Sequence, residues 1–303
     1  MKILIRYSVL LLLLLPVYTA DAQHNKLPII DVHLHAYTDR TYRSVPNEYG
    51  TLSPKNLENH KKATLDMMDK YNIVRAVVSQ IGGFDNQEFE GDPRFIPGYY
   101  ANNAPDDTTA FIKLIEEGKL KVFGEIGAIY AGKTLSDPEF DPYLKICERY
   151  NIPVMVHTGG GEPGVTYRCC PNFRISLGDP FLIEDVLAKY PKLKVCMMHA
   201  GEIFHEKAVR LMMLYPQLYA ELGAVLWVAD PIKDYAEEFL RRAQQFKCID
   251  RIMFGSDQMY WAEGIEKSIQ TLNSYDFLSE EEKRKIFYHN AVKFLALEEE
   301  LKQ

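Results

Sequence analysis

The feature that most constrains the fold of this chain is a regular alternation of short apolar runs and amphipathic stretches. Eight runs rich in β-branched and aromatic residues follow one another from residue 28 onward, separated by stretches with helical spacing. Eight β–α alternations predict a closed (β/α)8 barrel (TIM barrel), and an open doubly wound α/β sheet is the alternative. The strands are predicted at residues 28–33, 73–80, 95–100, 121–126, 152–157, 193–199, 217–222 and 250–255.

The predicted helices have clear local signals. Several of the strands between them are apolar throughout, which is typical of parallel strands covered on both faces. At 179–190, Asp179 is a capping residue, Pro180 occupies the first turn and Pro191 ends the pattern. The last two helices carry a charged face and are expected to cover the outside of the barrel. The helices are predicted at 54–71, 107–118, 141–150, 179–190, 203–215, 232–247, 279–288 and 290–301.

The first 22 residues have the pattern of a secretory signal peptide. Lys2 and Arg6 form a cationic start, the stretch SVLLLLLLPVY is the apolar centre, and Ala20 and Ala22 occupy small-residue positions before a cleavage site. This pattern predicts a signal peptide over 1–22 and a single exported domain over 23–303, either periplasmic or secreted. An uncleaved anchor is the alternative. After cleavage no stable membrane association is expected, because no later segment has transmembrane length.

Charge and cysteine content exclude other classes of protein. The formal net charge is −7 and no basic run occurs, so binding to nucleic acid is not expected. Five cysteines are few and odd in number, which argues against a disulfide scaffold. Cys147, Cys196 and Cys248 lie in apolar segments and are expected to be buried thiols. The adjacent Cys169 and Cys170 are expected to be free thiols rather than a vicinal bridge. The sequence leaves homo-oligomer formation open.

Side chains that bind metals lie at the ends of five predicted strands. In a parallel barrel these ends share one face and converge. Residues two apart in a strand point to one side, so the first pair can hold one ion together. Imidazole and carboxylate are the donors that zinc-like ions select, so the sequence predicts a divalent metal site, most simply for Zn²⁺. These side chains are His33 and His35 at the first strand, Glu125 at the fourth, His157 at the fifth, His199 at the sixth and Asp257 after the eighth.

Four short motifs carry a resemblance to a known family. The segments DVHLH, VHTG, HAG and FGSD occur in this order, and the chain resembles the amidohydrolase superfamily, in its amidohydrolase-related branch. The resemblance covers residue 28 to about 295. It implies a distorted (β/α)8 barrel with one or two divalent ions, for which His33, His35, His157 and Asp257 are the ligands or near-ligands.

Two residues have open roles within this resemblance. His199 is either a ligand to a second ion or a catalytic residue that polarises the substrate. Many members of the superfamily have a carboxylated lysine after the fourth strand that bridges two metals. This chain has the sequence GEIG there, with Glu125 and no lysine. Glu125 is therefore either a ligand or bridge, or a structural carboxylate.

The leading functional hypothesis is a metal-dependent hydrolase of a small ester, lactone or amide. A metal-activated water would attack the small-molecule substrate, Asp257 would accept its proton and pass it to the leaving group, and His199 would stabilise the developing oxyanion. A nonoxidative decarboxylase of an aromatic or unsaturated acid is the alternative, since the same donors could hold a carboxylate and protonate a ring carbon. A binding protein that kept the barrel and lost catalysis is the third hypothesis.

Substrate contacts are predicted from loop and aromatic residues near the mouth of the barrel. Arg40 and Arg168 lie in the two longest loops after strands, and either guanidinium could bind a substrate carboxylate. Trp227 and Trp261 lie near the ends of the seventh and eighth strands and could stack on an aromatic ring.

Overall fold

The fold was obtained as a computed structural model that describes residues 27–38, 42, 44–81, 89 and 91–298. The predicted signal peptide, residues 1–22, lies outside the described residues, and so does Arg40. Within the described ranges, no helix has both the length and the apolar character needed to cross a bilayer.

Eight parallel strands form the central barrel. They are β1 (Ile29–Tyr37), β2 (Ile73–Ile81), β3 (Phe95–Ala101), β4 (Val122–Ile126), β5 (Val154–His157), β6 (Val195–Met198), β7 (Leu218–Glu221) and β8 (Ile252–Met253). They lie side by side in chain order. Two backbone hydrogen bonds join the segment at and after β8 to β1: Val32 N donates to Phe254 O at 3.0 Å, and Asp257 N donates to His33 O at 2.8 Å. This confirms the predicted (β/α)8 barrel, because a doubly wound sheet would place β1 inside the strand order.

Helices follow the strands on the outside of the barrel. At the start of the first helix, the Asn56 side chain accepts a hydrogen bond from the amide of Asn59, and Asn72 ends the helix in the left-handed conformation. The α-helices of the described residues are α1 (Leu57–Tyr71), α2 (Thr108–Glu116), α3 (Asp141–Tyr150), α4 (Val165–Arg168), α5 (Glu184–Lys189), α6 (His205–Leu214), α7 (Asp230–Gln245), α8 (Glu263–Ser274), α9 (Glu280–Arg284) and α10 (Asn290–Leu295).

Most predicted helices are present, but the structure differs from the prediction in several places. The region 179–190 begins as a short 3₁₀ helix, Pro180–Ile183, before α5, and the side chain of Asp179 caps it as predicted. Neither the short α4 nor α8 is among the predicted helices, although α8 buries Ile265, Ile269 and Leu272 at helical spacing. The last predicted helix ends at Leu295, well before residue 301, because Ala296 adopts the left-handed conformation.

The C-terminal helix α10 closes the amino-terminal end of the barrel. Phe294 and Leu297 pack against the inward-facing side chains of the strands, and Lys194 Nζ, just before β6, donates to the carbonyls of Lys293 and Phe294 at 2.9 and 3.0 Å. The expectation that this helix covers the exterior is therefore wrong, since its apolar side chains enter the inner core. The inward-facing core residues are Ile30, Val32, Val77, Ile96, Val122, Met155, Cys196, Met198 and Met253.

Three of the five cysteines are buried free thiols, and the other two are bonded to each other. Cys147, Cys196 and Cys248 are buried and free, as predicted. Cys169 and Cys170 are joined by a disulfide bond, so the expectation of two free thiols is corrected. The chain turns where α4 ends, and this turn brings the two neighbouring sulfur atoms together.

The packing of α10 against the inner core leads to a prediction about stability. Replacing fully buried Phe294 by Ala leaves a cavity in the inner core, and we expect the free energy of unfolding to fall by about 3–5 kcal/mol. Phe246→Ala is the control, because Phe246 is 41% exposed at the end of α7. Urea unfolding monitored by circular dichroism measures both changes. Equal losses in the two variants would contradict the role of Phe294 as a core residue.

Candidate metal centre

The carboxyl end of β1 brings two imidazole rings together. The Nε2 atoms of His33 and His35 are 3.1 Å apart, and the two residues are only 1% and 3% exposed. Asp31 supports this strand end from within the barrel wall, where its carboxylate accepts from the amides of His33 and Ser256 at 3.0 Å each. The two rings are thus held on a backbone that has its own buried hydrogen bonds.

Glu125, on β4, lies between two pairs of histidines. Its Oε2 atom is 3.2 Å from His35 Nε2 and 3.7 Å from His33 Nε2. Its Oε1 atom is 2.6 Å from His157 Nδ1 and 3.6 Å from His199 Nε2. Each carboxylate oxygen therefore faces a different pair of imidazoles.

His157 and His199 form the second pair. His157 is the last residue of β5, and His199 directly follows β6 with φ +60°, in the left-handed region. His199 Nε2 is 3.0 Å from His157 Nδ1. Because neighbouring parallel strands place their ends side by side, the two rings meet although 42 positions separate them.

Each of the four rings has one nitrogen bonded to an oxygen outside the centre. His35 Nδ1, His157 Nε2 and His199 Nδ1 donate to backbone carbonyls at 3.2, 2.7 and 3.0 Å. His33 Nδ1 donates to the carboxylate of Glu221 at 3.2 Å. Carbonyl and carboxylate oxygens accept hydrogen bonds, so in the neutral form of each ring the opposite nitrogen is the one that presents a lone pair to the centre. Metal-binding histidines are oriented in this way.

Asp257 lies beside the first pair of histidines, His33 and His35. Its φ of +47° lies in the left-handed region, and its amide donates to His33 O. Its Oδ1 atom lies 3.3 Å from His35 Nε2 and 3.6 Å from His33 Nε2. This buried oxygen has no well-aligned hydrogen-bond partner among the described residues. A buried carboxylate oxygen without such a partner fits a cation, because leaving it unsatisfied is costly.

The structure brings all six predicted side chains to one place. Three overlapping groups offer donor atoms that lie within 4.8 Å of one another. Glu125 belongs to two of these groups, which is the arrangement expected of a carboxylate that serves two ion positions. The groups are His33, His199 and Asp257; His33, His35 and Glu125; and Glu125, His157 and His199.

Opposite charges in the centre attract one another. Burial raises the pKa of Glu125, but hydrogen bonds from histidines, first among them His157 and His199, hold that pKa well below its ordinary value. Burial lowers the pKa of His199, but its contact with Glu125 and the charges of Glu221 and Asp257 raise it to about 9. His199 therefore holds a proton at neutral pH that a bound cation has to displace.

Three residues near the centre are absent from the sequence-based set. Glu221 is the last residue of β7 and contacts His33, so the strand-end rule that identified the histidines would have identified it. The ring of Tyr130 lies edge-on to His157, with centroids 5.1 Å apart, and that of Tyr100 lies 6.2 Å from His35. Burial raises the pKa of both tyrosines, so both hydroxyls keep their protons.

The residues predicted to contact substrate have different positions. Arg40 is outside the described residues, and Arg168 is at the surface, where its guanidinium donates to Glu162. Trp227 is fully buried and its Nε1 donates to Ser256 O at 2.8 Å, so its role is corrected to packing. Trp261 is 8% exposed and stays a predicted contact, as does Arg168.

The fold and the centre together define a class: a (β/α)8 barrel with a candidate divalent-metal site at the carboxyl ends of its strands. The sequence model of the Amidohydrolase family, Amidohydro_2, matches residues 30–297, so the chain belongs to this family. This confirms the resemblance seen in the four motifs. Protein fluG of Emericella nidulans is 23% identical over 113 residues, a match that spans 37% of this chain and 12% of that protein.

The solved structures that are similar to this fold are named for different activities. A probable 2-pyrone-4,6-dicarboxylic acid hydrolase from Acinetobacter baumannii, with citric acid bound, has a TM-score of 0.62 at 15% identity, covering 88% of this chain and 99% of that one. A dihydroxybenzoic acid decarboxylase from Polaromonas sp. JS666, with manganese and 2-nitroresorcinol, has a TM-score of 0.62 at 15% identity, covering 89% and 97%. An amidohydrolase from Burkholderia multivorans with zinc has a TM-score of 0.57 at 15% identity, covering 88% and 99%. These similarities establish the shared fold.

The raised pKa of His199 predicts that protons and metal compete. Below the raised pKa of about 9, His199 is mostly protonated, and a rise in pH weakens the competition from this proton. We expect the affinity for Zn²⁺ to rise with pH by up to about tenfold per unit for each proton displaced. Calorimetric titration in two buffers of different protonation enthalpy measures the protons released. His205→Gln is the control, because His205 pairs with Glu238 instead. Affinity that is constant with pH and releases no proton would contradict the prediction.

Proposed function

We propose that this protein is a metal-dependent hydrolase acting on a small ester, lactone or amide. The observation that carries the proposal is the position of Glu125 between two histidine pairs. One oxygen faces His33 and His35, and the other faces His157 and His199. A carboxylate shared in this way would suit a centre with two metal positions, and hydrolases commonly use such centres.

The donors divide into two sets that share Glu125. By their mutual distances, the first set is His33, His35 and Asp257, and the second is His157 and His199. A divalent ion held by these residues would supply Lewis acidity and would lower the pKa of a water molecule in the site. We propose Zn²⁺, as one or two ions, because imidazole nitrogens and carboxylate oxygens are its usual ligands.

Protein groups move the protons in this proposal. The carboxylate of Asp257, through the oxygen that does not hold the ion, accepts a proton from the attacking water as the bond between water oxygen and carbonyl carbon forms. The same carboxyl group returns that proton to the leaving oxygen or nitrogen as the acyl bond breaks. The neutral hydroxyl of Tyr130 donates to the carbonyl oxygen, where negative charge develops. His199 stabilises the same charge where it is not engaged as a ligand.

A second candidate function is nonoxidative decarboxylation of an aromatic or unsaturated acid. The observation that favours it is the number of aromatic rings around the centre. Tyr100 and Tyr130 lie against histidines of the two pairs, and Tyr37 stacks on Tyr260 with centroids 3.8 Å apart. Such rings would hold a planar substrate, and Asp257 would protonate the ring carbon that loses carbon dioxide.

A substrate screen separates the two functions. Zn²⁺-loaded protein is incubated with panels of lactones, esters, amides and aromatic acids. The hydrolase proposal expects stoichiometric release of acid and alcohol or amine, without carbon dioxide. Release of carbon dioxide from an aromatic acid, with no hydrolysis of the other panels, would overturn the proposal in favour of the lyase.

The role of Asp257 predicts the outcome of a conservative change. Asp257→Asn keeps the shape but cannot accept a proton, so we expect kcat to fall by about 10²–10⁴-fold. Metal content is measured beside kcat to separate proton transfer from loss of metal. Asp250→Asn is the control, because Asp250 lies at the opposite end of β8 and pairs with Lys285. A metal-loaded Asp257→Asn enzyme with unchanged kcat would remove Asp257 from the mechanism.

We also propose that the protein is exported to the periplasm or the medium. The support is the sequence of residues 1–22, with its cationic start, apolar centre and small residues before Gln23.

A further inference from the structure

We propose that Glu221 is a positioning residue that holds one histidine of each pair in its metal-binding orientation. The inference rests on the proposed metal site. Oε1 of Glu221 accepts from His33 Nδ1 at 3.2 Å and from the amide of His199 at 2.8 Å. Oε2 accepts from the amide of Gly223 at 2.5 Å. Three donors from three parts of the chain thus converge on one carboxylate.

The surroundings of Glu221 are shaped for a carboxylate. The side chain is fully buried, and two glycines leave the space that it occupies. A Cβ at Gly223 would lie 2.6 Å from His33 Nδ1 and 2.8 Å from Glu221 Oε2, and a Cβ at Gly255 would overlap Oε2. A buried charge is costly unless it is hydrogen-bonded, and here both oxygens are bonded.

The contact with His33 determines which ring nitrogen faces the centre. An ionised carboxylate only accepts, so Nδ1 of His33 carries the proton and Nε2 presents its lone pair to the metal position. The contact with His199 acts on the backbone instead. His199 and Ala200 both have left-handed φ values, of +60° and +53°, which an L residue adopts only at a cost. The hydrogen bond from the His199 amide helps to hold this conformation.

Glu221 therefore couples the two histidine pairs through groups that do not touch the metal. Glutamine has nearly the same shape, but its amide nitrogen donates. In Glu221→Gln the amide nitrogen would face either the Gly223 N–H or His33 Nδ1. The second arrangement moves the His33 proton to Nε2, where it blocks coordination.

The test measures metal affinity rather than turnover. Zn²⁺ dissociation constants are determined for the full chain by competition with a chromophoric chelator. The matched control is Asn290→Ala, because Asn290 is equally buried but donates to Ile249 O and Ile252 O at the opposite end of the barrel. We expect Glu221→Gln to weaken Zn²⁺ binding by about 10–100-fold and Asn290→Ala to leave it unchanged, even where both lower the unfolding midpoint.

The outcomes are distinguishable. Wild-type affinity in Glu221→Gln, or a loss equal to that of Asn290→Ala, would overturn the role of Glu221 while leaving the metal site in place. A wild-type protein that takes up no Zn²⁺ would overturn the proposed function itself.

A second measurement decides the question if Glu221→Gln does not fold. In Zn²⁺-loaded wild-type protein labelled with ¹⁵N-histidine, the His33 signals are assigned by their loss in His33→Asn. We expect the proton on Nδ1, and a proton on Nε2 would overturn the inference.

Discussion

The attraction between one buried carboxylate and four imidazoles is the interaction on which this structure depends. Glu125 comes from β4, and its partners come from β1, β5 and the segment after β6. No two of these segments are near neighbours in the sequence, so the contacts exist only in the closed barrel. The centre therefore exists only when the barrel is folded.

One end of the barrel is mainly apolar, and the other end carries the polar side chains. At the amino-terminal end, α10 covers the inner core with apolar side chains, and the polar side chains of Lys194 and Asn290 donate to backbone carbonyls there. At the carboxyl end, the same strands present imidazoles and carboxylates that bond to one another and to backbone carbonyls. Apolar packing on both sides of the strands stabilises the fold, so the chain can hold a cluster of buried ionisable groups at the carboxyl end.

Much of this architecture could be predicted from the sequence, and the exceptions have physical reasons. The strands are recognisable as apolar runs, and parallel strands place their carboxyl ends together. His33 and Asp257 could therefore be assigned to one site although they are far apart in the sequence. The side chain of Trp227 could not be placed, because its burial depends on close packing against Gly264 of α8, which is a long-range contact that the sequence pattern does not show. The position of α10 and the bond between Cys169 and Cys170 depend on backbone directions that residue patterns do not encode.

The barrel closes at the candidate metal centre. His33 and His35 belong to the first strand, and Asp257 follows the last, so the hydrogen bond between Asp257 N and His33 O joins the two ends of the sheet. A chain truncated before β8 would leave β1 as a free edge, with its backbone groups exposed along a strand nine residues long. Such edges pair readily with other chains, and premature termination in this protein would therefore lead to aggregation rather than to a smaller soluble barrel.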